Sequence, residues 1–473
     1  MEFTGLPEKR RLKEIFKAAH PITLEEVLDA RENRAAVQQN ILREFPDGAL
    51  ISFTMNIPGM YKNYSLVTMA FEEGIARLES QLSRVGATIL YRRKELANTG
   101  CEWYCMVNMQ ALHLKKLTVA LEDGHPLGRL FDMDVLDIHG SAVRGTQAGR
   151  KERTCLICES PVWACSRNRT HSAEELAVRT AEMLLAYFDA RFADYTSCLA
   201  TKALLYEVSA TPKPGLVDRA NNGAHKDMDI FTFLSSSTAL TPYFRDITLQ
   251  AILFEGAPEE MLAALRYTGQ RAEEDMFLAT GGANTHKGLI FSLGLICAAM
   301  GYAYTHELPQ TPAQILILCG KIATATTREL MQASEKDQKT HGERVFAQFG
   351  TTGARGEAAA GFPHVRDYGL PLLTQMVIEG CSLNDAGCIV LLHFIAHVED
   401  TNLLTRSNPQ TIDTIKRELL TFLKQTREPA LLLDIAQKLD EQFIALNISP
   451  GGCADLLAVS YMLYFIMQTP FEL

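Results

Sequence analysis

Ser172 divides the chain into two textures. After it, nearly every stretch repeats its apolar side chains at helical spacing: 173–192, 195–208, 231–253, 258–268, 271–279, 287–302, 312–333, 370–379, 383–397, 409–424, 429–445 and 452–468. Ser172, with Glu175 three residues on, carries a capping-box signal for the first of these helices. Strand signals are nearly absent here, so residues 181–473 are expected to form an all-α domain. Its working loops are expected at 211–229, 280–287, 340–366 and 447–452. Residues 1–180 read as α+β: helical spacing covers 23–44 and 64–84, and short β-prone runs stand at 49–54, 88–92, 103–109, 117–121 and 130–138. The boundary falls within 172–195, with no flexible linker. A length of 473 residues exceeds one ordinary core, which agrees with a multidomain chain.

Charge and cysteine usage narrow the function. The net charge of -10 is uneven: residues 1–180 hold 24 Lys+Arg against 23 Asp+Glu, and the rest hold 22 against 33. A general nucleic-acid binder would more often carry a basic domain, so no nucleic-acid partner is expected. The first residues lack an apolar signal core, and the runs 288–300 and 456–467 are short for a bilayer crossing, so no membrane role is expected. Eleven scattered cysteines fit reduced thiols in a cytoplasm better than a disulfide framework.

The densest chemistry lies in Lys213-Pro-Gly-Leu-Val-Asp-Arg-Ala-Asn-Asn-Gly-Ala-His-Lys-Asp-Met-Asp229. It sets three acids and four basic or titratable groups among Pro and Gly. Such a stretch suits phosphate and metal on backbone that lets a ligand approach closely. Lys213, Arg219, His225, Lys226, Lys287 and Arg355 are candidate phosphate ligands, with Gly215 giving close backbone approach. The loop 281–288, which holds Asn284 and His286, leads into a helix whose free amides form an anion site. Asp218, Asp227 and Asp229 are candidate Mg²⁺ ligands, with Asp218 also a candidate catalytic acid. Glu357 is the choice for a catalytic carboxylate, with the cluster Glu273, Glu274 and Asp275 as the alternative. Plainer readings stand beside these: Asp218 can cap the segment that follows, and Asp455 can simply suit the first turn of the last helix. His393 and His397, four apart, read as a structural pair rather than a metal site.

In the first part, Asp132-Met-Asp134 lies in a strand-like run. Residues i and i+2 of a strand share a face, so both carboxylates can converge on Mg²⁺, and parity leaves Asp137 out. Arg129 is a candidate for a departing diphosphate. Asn56, Gly59 and Lys62 form a candidate phosphate loop, with Arg31 and Arg34 weaker candidates. Cys155, Cys158, Cys165 and His171 have spacing compatible with a Cys₃His zinc site. Buried thiols, or a basic segment (Arg150, Lys151, Arg153, Arg167, Arg169) that receives phosphate or an acidic carrier, are the other readings.

Two resemblances tie these residues together. From about residue 195 onward the chain resembles the ATP:dephospho-CoA triphosphoribosyl transferase family. The resemblance runs through 212–218, 222–229, 282–288, 353–357 and 449–457. It implies that ATP and 3'-dephospho-CoA give 2'-(5''-triphosphoribosyl)-3'-dephospho-CoA and adenine. Residues 20–180 resemble the apo-citrate lyase phosphoribosyl-dephospho-CoA transferase family, through 30–34, 52–62, 99–102, 126–135, 153–158, 165–167 and His171. That resemblance implies an α+β nucleotidyltransferase-type domain. Its partner is a serine of the citrate lyase γ subunit, an acyl carrier protein, and diphosphate leaves. The expectation is a bifunctional enzyme, with transferase (1–180) first and synthase (181–473) second. The alternatives are the equivalent pair for a malonate-type carrier, one inactive domain that serves to dock, or an all-α ribosyl hydrolase.

Overall fold

The computed structural model describes residues 9–150, 152–333, 351–406 and 409–471. They form two compact units that meet in sequence at Asp189 and Ala190.

Unit 1 is built on a four-stranded antiparallel sheet. The strands are β1 (Ala49–Met55), β2 (Ile89–Ala97), β3 (Gly100–Val107) and β4 (Phe131–Leu136), in spatial order β2-β3-β1-β4. The helices are α1 (Lys9–Ala18), α2 (Leu24–Glu44), α3 (Ser65–Arg84), α4 (Ala111–Gly124), α5 (Val162–Asn168) and the first part of α6 (Ala173–Ser209). Period-2 alternation sorts the sheet into two faces. Ile51, Phe53, Trp103, Cys105, Phe131, Met133 and Val135 enter one core with Val67, Phe71 and Leu78 of α3 and Leu184 and Phe188 of α6. The other face is apolar only at one end, where Leu50, Tyr104, Met106 and Leu136 meet Ile41 of α2. Toward the opposite end it carries Ser52, Thr54, Glu102, Asp132 and Asp134.

The run 117–121, expected as a strand, is instead the middle of α4. Leu114, Thr118 and Leu121 are buried at helical spacing, and a short β-branched run cannot reveal that packing from pattern alone. The capping box at Ser172 is formed: the Glu175 amide donates to Ser172 Oγ (3.0 Å), and the Ser172 amide donates to Glu175 Oε2 (2.7 Å). The two helices expected at 173–192 and 195–208 are one, α6.

The regular secondary structure of unit 2, among its described residues, is helical. After α6 come α7 (Ile230–Ile252), α8 (Pro258–Ala279), α9 (Lys287–Thr305), α10 (Pro312–Ala333), α11 (Gly353–Ala359) and a π-turn at Val365–Gly369. These are followed by α12 (Leu370–Ile378), α13 (Leu383–His397), α14 (Thr401–Arg406), α15 (Pro409–Gln425), α16 (Pro429–Leu446) and α17 (Gly451–Gln468). Gly269 does not break α8, as the separate readings 258–268 and 271–279 had it; a Cβ there would meet nothing within 4 Å. The expected loop 340–366 lies partly outside the described residues, and its remainder holds α11 and the π-turn. Helices α9 and α17 are apolar on all sides and form the middle of the core. Both are long and apolar enough to cross a bilayer, at 19 and 18 residues, which corrects the shorter runs read from sequence. They are 78% and 72% buried within the protein.

Candidate functional site

In unit 1 the Asp132–Asp134 pair projects from β4 on the face opposite Phe131, Met133 and Val135, as strand parity requires. The register sets Asp134 beside Ser52 and Asp132 beside Thr54 on β1, with Tyr104 and Glu102 next across on β3. Helix α2 covers this polar face: Arg34 pairs with Glu102 (2.7 Å), and Gln38 donates to Ser52 Oγ (2.9 Å). Asp134 stays open to solvent. The surrounding chain, then the Asp132 carboxylate, push its carboxyl above the usual range.

β4 is an edge strand, and α4 closes the edge at one residue. The Met133 amide donates to Glu122 Oε1 (2.8 Å), and Lys115 Nζ donates to the Met133 carbonyl (2.7 Å). Both side chains are buried, and burial lowers the Lys115 pKa against the pull of Asp134. This clip fixes the backbone between the two aspartates. Glu122 also faces Arg150 and Arg153. Arg153 donates to the Phe131 carbonyl (3.2 Å) and lies 3.9 Å from Asp132. Arg129, assigned from sequence to diphosphate, donates to the Thr154 carbonyl, and burial lowers its pKa. In the loop after β1, Lys62 donates to the Ile57 carbonyl (2.5 Å), Gly59 has φ +84° and Asn56 is exposed. Glu102, Lys115 and Glu122 were not assigned from sequence. Their signal is a charge inside an apolar strand or helix.

Cys155, Cys158, Cys165 and His171 do converge, with their ligating atoms all within 4.8 Å of one another.

In unit 2 a cavity of ≈ 1970 Å³ gathers the loops that the sequence reading singled out. Lys213, His225, Asn284, His286, Lys287, Arg355, Glu357 and Asp455 all line it, although they span more than half the chain. Lys213 is buried and its ammonium donates to the equally buried Glu207. Burial raises the Glu207 pKa, and Lys213 opposes that rise. Lys287 begins α9 and pairs with Glu273 of α8 (2.6 Å). The N-cap His286 makes no side-chain cap to α9, so the first amides of that helix keep their donors for another acceptor. His286 Nδ1 shares a 2.7 Å hydrogen bond with Ser236 Oγ. Its Nε2 is sealed from solvent with no partner among the described residues. Burial, then Lys213, push the His286 pKa down to about 3, so the ring is neutral at ordinary pH. His225 Nε2 meets Ser449 Oγ (2.9 Å). Glu357 holds His364 by both its amide and Nδ1 (2.9 Å each), which raises the His364 pKa.

Asp455 comes within van der Waals reach of Gly288, where an added Cβ would sit 1.9 Å from its Oδ2. Burial, then Glu207 and Asp400, push the Asp455 carboxyl well above the carboxylate range. Asp400 caps two backbone turns, at Asn402 (2.7 Å) and Cys453 (2.9 Å).

The other sequence candidates hold the loop. Asp218 accepts from the amides of Lys213 (3.0 Å), Ala220 (2.7 Å) and Asn221 (3.0 Å). Asp229 is the N-cap of α7 and accepts from the Thr232 amide (2.8 Å). Arg219 bonds Asn384 (2.8 Å) and Thr211 (3.3 Å). Lys226 and Asp227 are exposed. None of these five lines the cavity. Gly215, at φ +66°, runs so close to the Ile448 carbonyl that an added Cβ would stand 2.1 Å from its oxygen. Glu274 and Asp275 also lie outside the lining, and His397 Nδ1 turns back to the His393 carbonyl (2.8 Å) within α13.

Comparison with known proteins matches both units. Residues 193–470 match the family ATP:dephospho-CoA triphosphoribosyl transferase, and residues 22–187 match apo-citrate lyase phosphoribosyl-dephospho-CoA transferase. The chain is 33% identical to Protein CitXG of Haemophilus influenzae over 93% of this chain and 95% of that one. It is 32% identical to Protein CitXG of Leuconostoc mesenteroides over 95% and 98%. Over 58% of its length it is 43% identical to a probable 2-(5''-triphosphoribosyl)-3'-dephosphocoenzyme-A synthase of Citrobacter koseri, covering 91% of that protein. The chain is therefore a transferase that belongs to both families at once, an apo-citrate lyase phosphoribosyl-dephospho-CoA transferase unit followed by an ATP:dephospho-CoA triphosphoribosyl transferase unit.

Proposed function

We propose that this one chain makes the citrate lyase prosthetic group and attaches it. In unit 2 the 2'-oxygen of 3'-dephospho-CoA attacks C1' of the ATP ribose. The C1'–N9 bond breaks, adenine leaves with a proton, and the triphosphate stays on the product. In unit 1 a serine Oγ of the acyl carrier subunit attacks the α-phosphorus of that product. The bond to the β-phosphate breaks and diphosphate leaves. The observation that carries the reading is the convergence of all five synthase segments on one cavity.

Each chemical need has a group at hand in that cavity. Lys287, Arg355 and the free amides of α9 suit the triphosphate. Glu207 is a carboxylate that lines the cavity deeply enough to hold a metal–triphosphate; Asp218 and Asp229 have already given oxygens to backbone amides. Magnesium supplies charge neutralisation at the phosphates in both units. Asp455, with its raised pKa, is our choice to protonate departing adenine, and Glu357 to face positive charge that develops on the ribose. In unit 1, Asp132 and Asp134 suit the metal, and Arg153 suits the phosphate charge at their flank. We set the reactions in the cytoplasm, where the free cysteines stay reduced.

The test is mass spectrometry of apo carrier subunit after incubation with the chain, ATP, Mg²⁺ and dephospho-CoA. The expected result is a mass gain of one phosphoribosyl-dephospho-CoA on a single serine, with adenine and diphosphate released. Free triphosphoribosyl-dephospho-CoA with unmodified carrier overturns the unit 1 assignment; a malonate-type carrier in parallel then shows whether the partner was misjudged. Adenine release without dephospho-CoA would instead mark a hydrolase.

A further inference from the structure

We propose that Cys155, Cys158, Cys165 and His171 bind one Zn²⁺. This closed structural site staples the hairpin that follows Arg153 to α5 and the turn after it.

The chain around the four residues is folded as a ligand scaffold. Residues 153–162 form a tight hairpin: the Cys155 amide donates to the Ser160 carbonyl (2.7 Å), and the Val162 amide to the Arg153 carbonyl (3.0 Å). Glu159, at φ +57°, makes the reversal between them. The Ile157 amide points at Cys155 Sγ (3.5 Å), the kind of N–H···S contact that favours a thiolate. α5 then returns Cys165 to 3.5 Å from Cys155, sulfur to sulfur. Arg169, at φ +46°, ends that helix and turns His171 inward. A tetrahedral zinc with bonds of about 2.3 Å to sulfur separates its sulfurs by about 3.8 Å. The four ligating atoms, all within 4.8 Å of one another, fit that size. All three sulfurs are free thiols. The His171 Nε2 is closed off from solvent with no well-formed hydrogen bond among the described residues, and the ring faces the Cys158 thiol, as a fellow ligand of one metal would.

Besides Leu156, which packs on the unit 1 core, the segment has few apolar anchors. Ile157, Val162 and Trp163 are exposed, so apolar burial contributes little across these residues. Four protein ligands leave no open position for substrate, which makes the site structural. Its place gives it a use. Arg129 donates to the Thr154 carbonyl, and Arg153, two residues before the first cysteine, reaches the Phe131 carbonyl, Glu122 and Asp132. Zinc would thus position Arg153 beside the Asp132–Asp134 pair. This second clause rests on the transferase reading of unit 1; the metal site does not.

The test is metal analysis of the full chain, expressed with zinc and purified without chelator. About one zinc per chain is expected, with most of it lost in Cys158→Ser and in His171→Ala. Replacement by Co²⁺ should give the intense near-ultraviolet thiolate bands and visible bands of a tetrahedral site. This readout is independent of activity and of whether the variants fold. Carrier modification from supplied triphosphoribosyl-dephospho-CoA should fall at least tenfold in the variants, while adenine release from ATP and dephospho-CoA persists. A folded wild-type chain without zinc, a Cys155–Cys165 disulfide on peptide mapping, or zinc kept in both variants overturns the site. Zinc present but carrier modification unchanged on its loss overturns only the positioning of Arg153.

Discussion

Lys213 and Glu207 form a buried ion pair in the wall of the synthase cavity, so their structural and chemical contributions can be separated. Lys213→Met leaves Glu207 buried without its partner, which should cost about 3 kcal/mol. The double change Lys213→Met with Glu207→Met removes both charges at similar volume and should recover most of that loss. Urea unfolding followed by far-ultraviolet circular dichroism measures both. Adenine release should stay lost in the double variant if the pair serves the reaction; its return would mark the pair as packing alone. His286 carries a second prediction at this scale. Its folded pKa is depressed to about 3, from 6.5, so the unfolded chain takes up its proton first as pH falls. The native ring therefore costs stability below pH 6.5. A His286→Asn variant should gain on the wild type by about tenfold in the unfolding constant per pH unit between 6.5 and 5. A pH-independent difference between the two would mean the ring is protonated in place.

Among the elements, β4 is the most exposed to a single change, because its free edge is closed by two side chains of α4. Glu122→Ala strands the Met133 amide and removes the carboxylate that Arg150 and Arg153 face. It should destabilise unit 1 by about 3 kcal/mol. Carrier modification should fall with it, while adenine release is unchanged; loss of both activities would contradict an effect confined to unit 1. The same strand shows what a sequence makes legible. Period-2 parity put Asp132 and Asp134 on one face and left Asp137 out, and Asp137 indeed accepts from the His139 and Ser141 amides in the turn beyond. The run 117–121 misled, because a buried face of α4 and a buried strand share the same short apolar pattern. Asp218 and Asp229, candidate ligands in the sequence, both accept from backbone amides, a role that looks the same as ligand binding in one dimension. Glu207 escaped notice for the opposite reason. It sits alone in an apolar helical run, and only the fold brings Lys213 and Asp455 toward it.

At the scale of the whole molecule, two units that belong to two families share one chain, and the product of one is the substrate proposed for the other. Covalent linkage raises the effective concentration of the intermediate near its user without any tunnel, provided the intermediate leaves the first site before it meets the second. That proviso can be measured. A chain with Asp132→Asn and Asp134→Asn should release adenine yet leave the carrier unmodified. A chain with Asp455→Asn should modify the carrier only when the intermediate is supplied. Mixed together, the two should restore the full sequence, because free intermediate passes between chains. At low protein concentration the mixture should lag behind an equal amount of the wild type, and the gap should close as concentration rises. A mixture that matches the wild type at every dilution would remove any kinetic advantage of the fusion. A mixture that stays inactive at every concentration, while each variant performs its own half, would show that the intermediate passes within one chain without release.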